Sequence, residues 1–214
     1  KSIGVGLIDS AINLTKLCIF NKPEYLLFIG SAGSYGNHNI FDIVESKTAS
    51  NLELSFLENN SYTPIDNVLK SENKLVKDET IVNSSNYITT NSNLSRKFNE
   101  YKIGIENMEF YSLLRVAKEF EITIGGIFVI TNYTNKDAHK DFISNHSKAK
   151  DILIDYDLFV EDGKETVEGD LMIKSKSEQK MKFLDNLKNR LPVIFNQIKQ
   201  YLIDLNNKSN NSIT

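Results

Sequence analysis

Apolar and polar positions fall into blocks that read alternately as helix and strand. Ile8, Ala11, Ile12, Thr15 and Cys18 share one helical face. Asn21, Lys22 and Pro23 end that helix, as a downstream proline predicts. Residues 24–29 form a short continuous apolar run, the pattern of a buried strand. Residues 41–47, 52–57 and 79–83 also read as strands, separated by the turn-rich 59–67 and the charged 71–78. A short helix is expected over 93–101 and a strand stub over 103–105. The next helix has Phe110, Leu113, Leu114, Ala117 and Phe120 on its inner face. Residues 122–131 are apolar and β-branched, a further buried strand. The polar run Thr131, Asn132, Tyr133, Thr134, Asn135 stops it, and a helix follows from 136 through 146 to 155.

After residue 155 the pattern changes. Residues 156–160 and 166–173 flank Asp162-Gly163, a hairpin signal. Leu184, Leu187, Leu191, Ile194, Ile198, Tyr201 and Leu205 then make a heptad seam, interrupted by Pro192, which should kink or divide the helix. Strands alternating with helices predict an α/β fold with a mixed central sheet flanked by helices over residues 1–155. A C-terminal hairpin and long amphipathic helix over 156–206 form an appendage, and 207–214 read as a disordered tail.

Composition narrows the function classes. The 214 residues are 25% charged and 40% hydrophobic, with formal net charge −3, the balance of a globular protein without a basic footprint for nucleic acid or an acidic membrane. The single cysteine, Cys18, excludes a disulfide framework and a cysteine-based metal cluster. In its helical pattern it reads as a buried core residue rather than a reactive thiol. No apolar run reaches membrane-span length, and no secretory leader pattern is visible, so a cytoplasmic location is expected. The chain begins at Lys1 without a methionine, which reads as a cut leader or as preceding residues.

The candidate chemistry lies at strand ends. Open α/β sheets place ligands at the carboxyl edge, where strand 122–131 gives way to Asn132 and a helix carrying His146. Gly30, Ser31, Ala32 and Gly33 follow another buried strand. They read either as backbone amides gathered on an anion or as a plain turn. Gly4 and Gly6 precede the first helix and allow either a tight turn or a close ligand approach. Tyr87 can stack on a planar ligand or lie half-buried. Glu109 can serve the first turn of its own helix or accept hydrogen bonds from a sugar diol.

Taken in order, GVGLIDSAINLT (residues 4–15), FIGSAG (28–33), SSNYIT (84–89), NMEF (107–110) and VITN (129–132) resemble the motifs of the nucleoside phosphorylase/nucleosidase superfamily, at about its spacings over residues 3–150. The resemblance implies cleavage of an N-glycosidic bond. It assigns phosphate or water to Gly30, Ser31, Ala32 and Gly33, base stacking to Tyr87 beside Ile88, the ribose to Met108 and Glu109, and the purine N7 side to Asn132. Nucleosidases and hexameric phosphorylases have an acidic aspartate at the position of Asn132; trimeric purine nucleoside phosphorylases have asparagine. Those trimeric enzymes also carry an Asn-His pair further on, matched here by Asn145-His146, whose histidine would contact the ribose 5′ end. The resemblance therefore implies a purine nucleoside phosphorylase acting on inosine or guanosine, with Asn132 and Glu109 catalytic. Phosphate is the co-substrate and no metal or other cofactor is expected. The alternatives are a phosphate-independent nucleosidase and a non-catalytic nucleoside-binding or assembly protein on the same scaffold. Family members are oligomers, so at least a dimer is expected, with a nucleoside and phosphate as the other partners. The chain departs from the pattern at Phe28, where hexameric enzymes have a phosphate-binding arginine, and at Ile88, near the trimeric enzymes' base-reading glutamate. None of its three arginines, Arg96, Arg115 and Arg190, matches a phosphate motif. The family's first strand would lie before Ile3.

Overall fold

The structure, a computed structural model, describes residues 1–74, 76–156 and 165–168. The hairpin turn at 161–164, the seam from Leu184 to Leu205 with Pro192, and the tail 207–214 lie outside those residues. Helix α1 (Leu7–Phe20) leads into β1 (Tyr25–Ser34), followed by β2 (Ile43–Ser46), β3 (Thr48–Ser50), α2 (Leu54–Leu57), β4 (Val68–Lys70) and β5 (Ile81–Ser84). Then come α3 (Ser92–Glu100), β6 (Ile103–Asn107), α4 (Phe110–Glu119), β7 (Thr123–Tyr133), α5 (Ala138–Asp155) and β8 (Glu165–Glu168). The strands form one mixed sheet in the order β2-β7-β1-β6-β5-β3-β4. β8 pairs in parallel with the first half of β1, over Leu26 to Ile29, and β6 pairs antiparallel with its end. This is the expected mixed sheet flanked by helices.

β1 and β7 form the centre. They run parallel over ten paired positions and are buried on both faces, which is why both read as continuous apolar runs. Phe28, Phe128 and Ile130 pack with Leu14 and Cys18 of α1 and Leu113 and Ala117 of α4. Ile29, Ile127 and Val129 alternate with them and pack with Ala149 and Leu153 of α5. Cys18 is thus a core residue. Phe28, at the position where hexameric phosphorylases have a phosphate-binding arginine, is wholly buried. Its ring centroid lies 5.8 Å from that of Phe110 and 5.6 Å from that of Phe128.

Three details differ from the sequence reading. Residues 52–57 are not a strand: Leu52, Phe56 and Leu57 pack together at helical spacing, with α2 across the last four residues. A short apolar run fits either period, and here tertiary packing chose the helix. On α1 the buried stripe is Ser10, Leu14 and Cys18, while Ile8 and Ile12 face outward. Ser10 goes inside because its Oγ donates to the Gly6 carbonyl (2.7 Å) and meets Ser112 Oγ of α4 (2.7 Å), so its polar atom is satisfied where the two helices approach. Finally, β1 does not stop at Ile29. Gly30, Ser31 and Ala32 continue the ladder with Phe128, Val129 and Ile130. This segment is therefore a strand and not the loop or turn expected from the sequence.

Candidate functional site

A cavity of about 300 Å³ opens where β1, β6 and β7 end, within the size range of small-molecule sites. Ser31, Ala32 and Gly33 of β1, Glu106 and Asn107 of β6, and Thr131 and Asn132 of β7 line the sheet side. Val5 before α1, Met108 before α4, and Ser85, Tyr87 and Ile88 after β5 add further wall. Ala138, His139 and Phe142 from the start of α5 complete it.

A single inserted residue aims Asn132. Ala32 pairs with Ile130, but the next residue, Gly33, pairs with Asn132, so Thr131 is a β-bulge. By simple alternation Asn132 would share a face with Phe128 and Ile130. The bulge turns it to the face of Gly33, on the α5 side of the sheet. Asn145 Nδ2 donates to the Thr131 carbonyl (2.8 Å), satisfying the bulge and clamping α5 to it. Thr131 Oγ1 donates to Asn132 Oδ1 (3.0 Å), which fixes the amide with Nδ2 as its donor end. Among the described residues that donor's hydrogen bond is to its neighbour's carbonyl, Tyr133 O, at 3.2 Å.

Gly33 makes the space. A Cβ built there would stand 2.9 Å from Asn132 Nδ2 and 3.3 Å from Glu106 Cγ. Gly33 also pairs with Glu106 across β6. The Asn132 amide and the Glu106 side chain therefore flank one glycine from the strands on either side of it. Glu106 Oε1 accepts from the Thr89 N–H (3.0 Å), and Oε2 accepts from the Tyr35 hydroxyl (2.8 Å). Burial pushes the Glu106 carboxyl above the usual carboxylate range, and the hydrogen bonds from Thr89 and Tyr35 pull it part of the way back.

Asn107 joins three elements. Its Oδ1 accepts from the N–H groups of Glu109 (2.8 Å) and Phe110 (3.0 Å) at the start of α4, and its Nδ2 donates to the Ser31 carbonyl (3.0 Å). Glu109 does not line the cavity. It is 1% exposed, makes no cap bond to its own helix, and accepts from the Gly6 N–H through Oε1 at 2.9 Å. It thus sits at the positive end of α1. Gly6 takes φ +84°, a conformation that only glycine adopts freely.

The other expected site residues are split. Ser31, Ala32, Gly33, Tyr87, Ile88, Met108 and Asn132 come together around the cavity. Tyr87 stands at the rim, 84% exposed. Gly30 precedes the wall, and His146 lies two helical turns beyond His139, roughly 10 Å along α5, its ring tilted at 53° to that of Phe142 with centroids 5.1 Å apart. The sequence reading missed Glu106, His139 and Phe142. Glu106 left one signal, a lone acid inside an apolar strand, where charge is rarely buried without a task. The two α5 residues left none, because which helical face meets the cavity depends on how α5 lies on the sheet.

No known family's sequence profile matches the chain, and no curated protein matches it in sequence. Solved structures do match. The 5′-methylthioadenosine/S-adenosylhomocysteine nucleosidase of Helicobacter pylori aligns with TM-score 0.59 at 16% identity, over 68% of this chain and 71% of that one. A futalosine hydrolase mutant of the same organism aligns with TM-score 0.58 at 17% identity, over 68% and 71%. The S-adenosylhomocysteine nucleosidase of Streptococcus pyogenes aligns with TM-score 0.59 at 13% identity, over 71% and 74%. The chain has the fold of the nucleoside phosphorylase/nucleosidase superfamily.

Proposed function

We propose that this protein is a nucleosidase, cleaving the N-glycosidic bond of a purine nucleoside with water. The observation that carries this reading is the charge of the cavity. No lysine or arginine stands among its described lining residues. Phosphate would enter that space with neither of these cations, among the described residues, to balance it. Arg96 bonds to Asn93 and Arg115 pairs with Glu119 on the surface, both away from the cavity. The similar solved structures are described as nucleosidases and a hydrolase, which supports the same choice.

In this reading the base lies between Asn132 and the Tyr87–Ile88 rim, with Met108 toward the sugar. As the bond to C1′ lengthens, negative charge grows on the base and Asn132 Nδ2 offers it a preorganised hydrogen bond. A second reading, phosphorolysis of inosine or guanosine, is favoured by Asn132 itself. An amide both donates and accepts, which suits a 6-oxopurine edge.

Base release from inosine, guanosine, adenosine and methylthioadenosine, with and without inorganic phosphate, separates the two. Equal release in both conditions is expected. Strict phosphate dependence would replace the nucleosidase reading with phosphorolysis, and nucleoside binding with no turnover would leave a binding protein on this scaffold.

A further inference from the structure

Glu106 takes no part in holding the base or the sugar. It is a buried carboxyl on the wall of the cavity, and among the described residues it makes no ion pair. Its side chain and the Asn132 amide converge over Gly33.

The chemistry of the leaving group gives that position a meaning. When the glycosidic bond breaks, both bonding electrons pass to the base. A purine leaves far more readily if a ring nitrogen gains a proton in the same step. An asparagine amide can donate a hydrogen bond there but cannot give up the proton. Of the described lining residues, Glu106, His139 and Tyr87 carry groups that can. His139 is exposed at the start of α5 and Tyr87 is 84% exposed at the rim. Glu106 is the one inside, beside the amide that would hold the base.

We propose that Glu106 is the general acid, delivering its proton to a ring nitrogen of the departing base while Asn132 holds that edge in register. The inference rests on the nucleosidase reading. The Glu106 carboxyl accepts from the Thr89 N–H and side chain and from the Tyr35 hydroxyl, and it has four lone-pair sites, so one remains to hold the proton without displacing Thr89 or Tyr35. As the C1′–N9 electrons enter the purine, the proton passes from the carboxyl to the ring nitrogen. The base leaves neutral and Glu106 is left as carboxylate. The oxygen of a water molecule bonds to C1′ and loses a proton to solvent, and solvent returns a proton to Glu106. The sum is nucleoside plus water giving free sugar plus base. Burial serves the step, because a carboxyl held above its usual range is still protonated nearer neutral pH. Tyr35 is a positioning residue, fixing Oε2 through its hydroxyl.

The test uses leaving groups that differ in their need for a proton. Glu106→Gln, which keeps the shape, is compared with the unaltered chain on a purine nucleoside and on 4-nitrophenyl riboside, whose nitrophenolate leaves unprotonated. The expected result is a loss of about 100- to 10,000-fold in kcat on the nucleoside, with the nitrophenyl substrate little changed. Tyr35→Phe supplies an independent readout. Removing a donor to the charged form raises the Glu106 pKa, so the pH above which kcat falls should move upward. Equal losses on both substrates, no loss on either, or an unmoved pH limb in Tyr35→Phe would overturn the assignment while leaving the nucleosidase reading intact. If the unaltered chain releases no base from any nucleoside, that reading falls and takes this one with it.

Discussion

Asn132 owes its place to one extra residue in its strand. Without the Thr131 bulge its amide would point among the aromatic side chains under the sheet. With the bulge it points into the cavity, held by Thr131 Oγ1 and clear of Gly33. Asn132→Ala removes a donor fixed in advance. Loss of one such donor typically raises the barrier by about 2.7–4 kcal/mol, so kcat for base release should fall on the order of 100- to 1000-fold. Steady-state kinetics on a purine nucleoside check this, and an unchanged kcat removes Asn132 from the chemistry. From the sequence, Asn132 was legible as a strand-end polar residue and, through the resemblance, as a base contact. The bulge that aims it was not, because a single-residue shift leaves no composition signal. Glu109 shows the converse. Its motif stood out, yet the fold buries it and sets it against the Gly6 N–H of another helix.

Among the elements, the joint at Asn107 holds the site together. One amide ties the end of β6, the start of α4 and the middle of β1. Asn107→Ala leaves two N–H groups of α4 without their acceptor. Loss of a helix cap costs about 0.5–2 kcal/mol, and the lost bond to Ser31 adds to it. A lower urea midpoint with an unchanged slope is the expected outcome, and a midpoint identical to that of the unaltered chain would contradict the role. The long elements were legible in the pattern. α4, β7 and α5 follow its periodicity closely, since each has a face or a whole length to bury. The short ones were not: α2 read as strand, and β4 gave no signal in a polar stretch, because three or four residues cannot establish a period.

At the scale of the whole molecule, α1 turns Ile8, Ile12, Ile19 and Phe20 to its outer surface, the last 85% exposed. Val5, at the cavity wall, continues the same apolar surface. A second copy of the chain is expected to cover this face, in keeping with the dimer anticipated from the resemblance. Light scattering at micromolar concentration should give twice the chain mass, and Ile8→Glu combined with Ile12→Glu should give the chain mass itself. A monomer from the unaltered chain would contradict the expectation. Among the described residues no helix is long and apolar enough to cross a membrane.

The sequence by itself determined the class of fold and the rough position of the site. Burial on both faces of β1 and β7 writes itself as unbroken apolar runs, and ordered motifs along the chain carry the resemblance. Only the tertiary structure decided which side chains meet. Glu106, Gly33 and Asn132 lie on three strands far apart in the chain, and they face one another because of pairing register and one bulge. Periodicity reports whether a residue is buried, whereas register and helix placement set what it is buried against. Thus the carboxyl proposed as the acid stood in plain view as a lone glutamate in an apolar strand, and its partner could be known only from the fold.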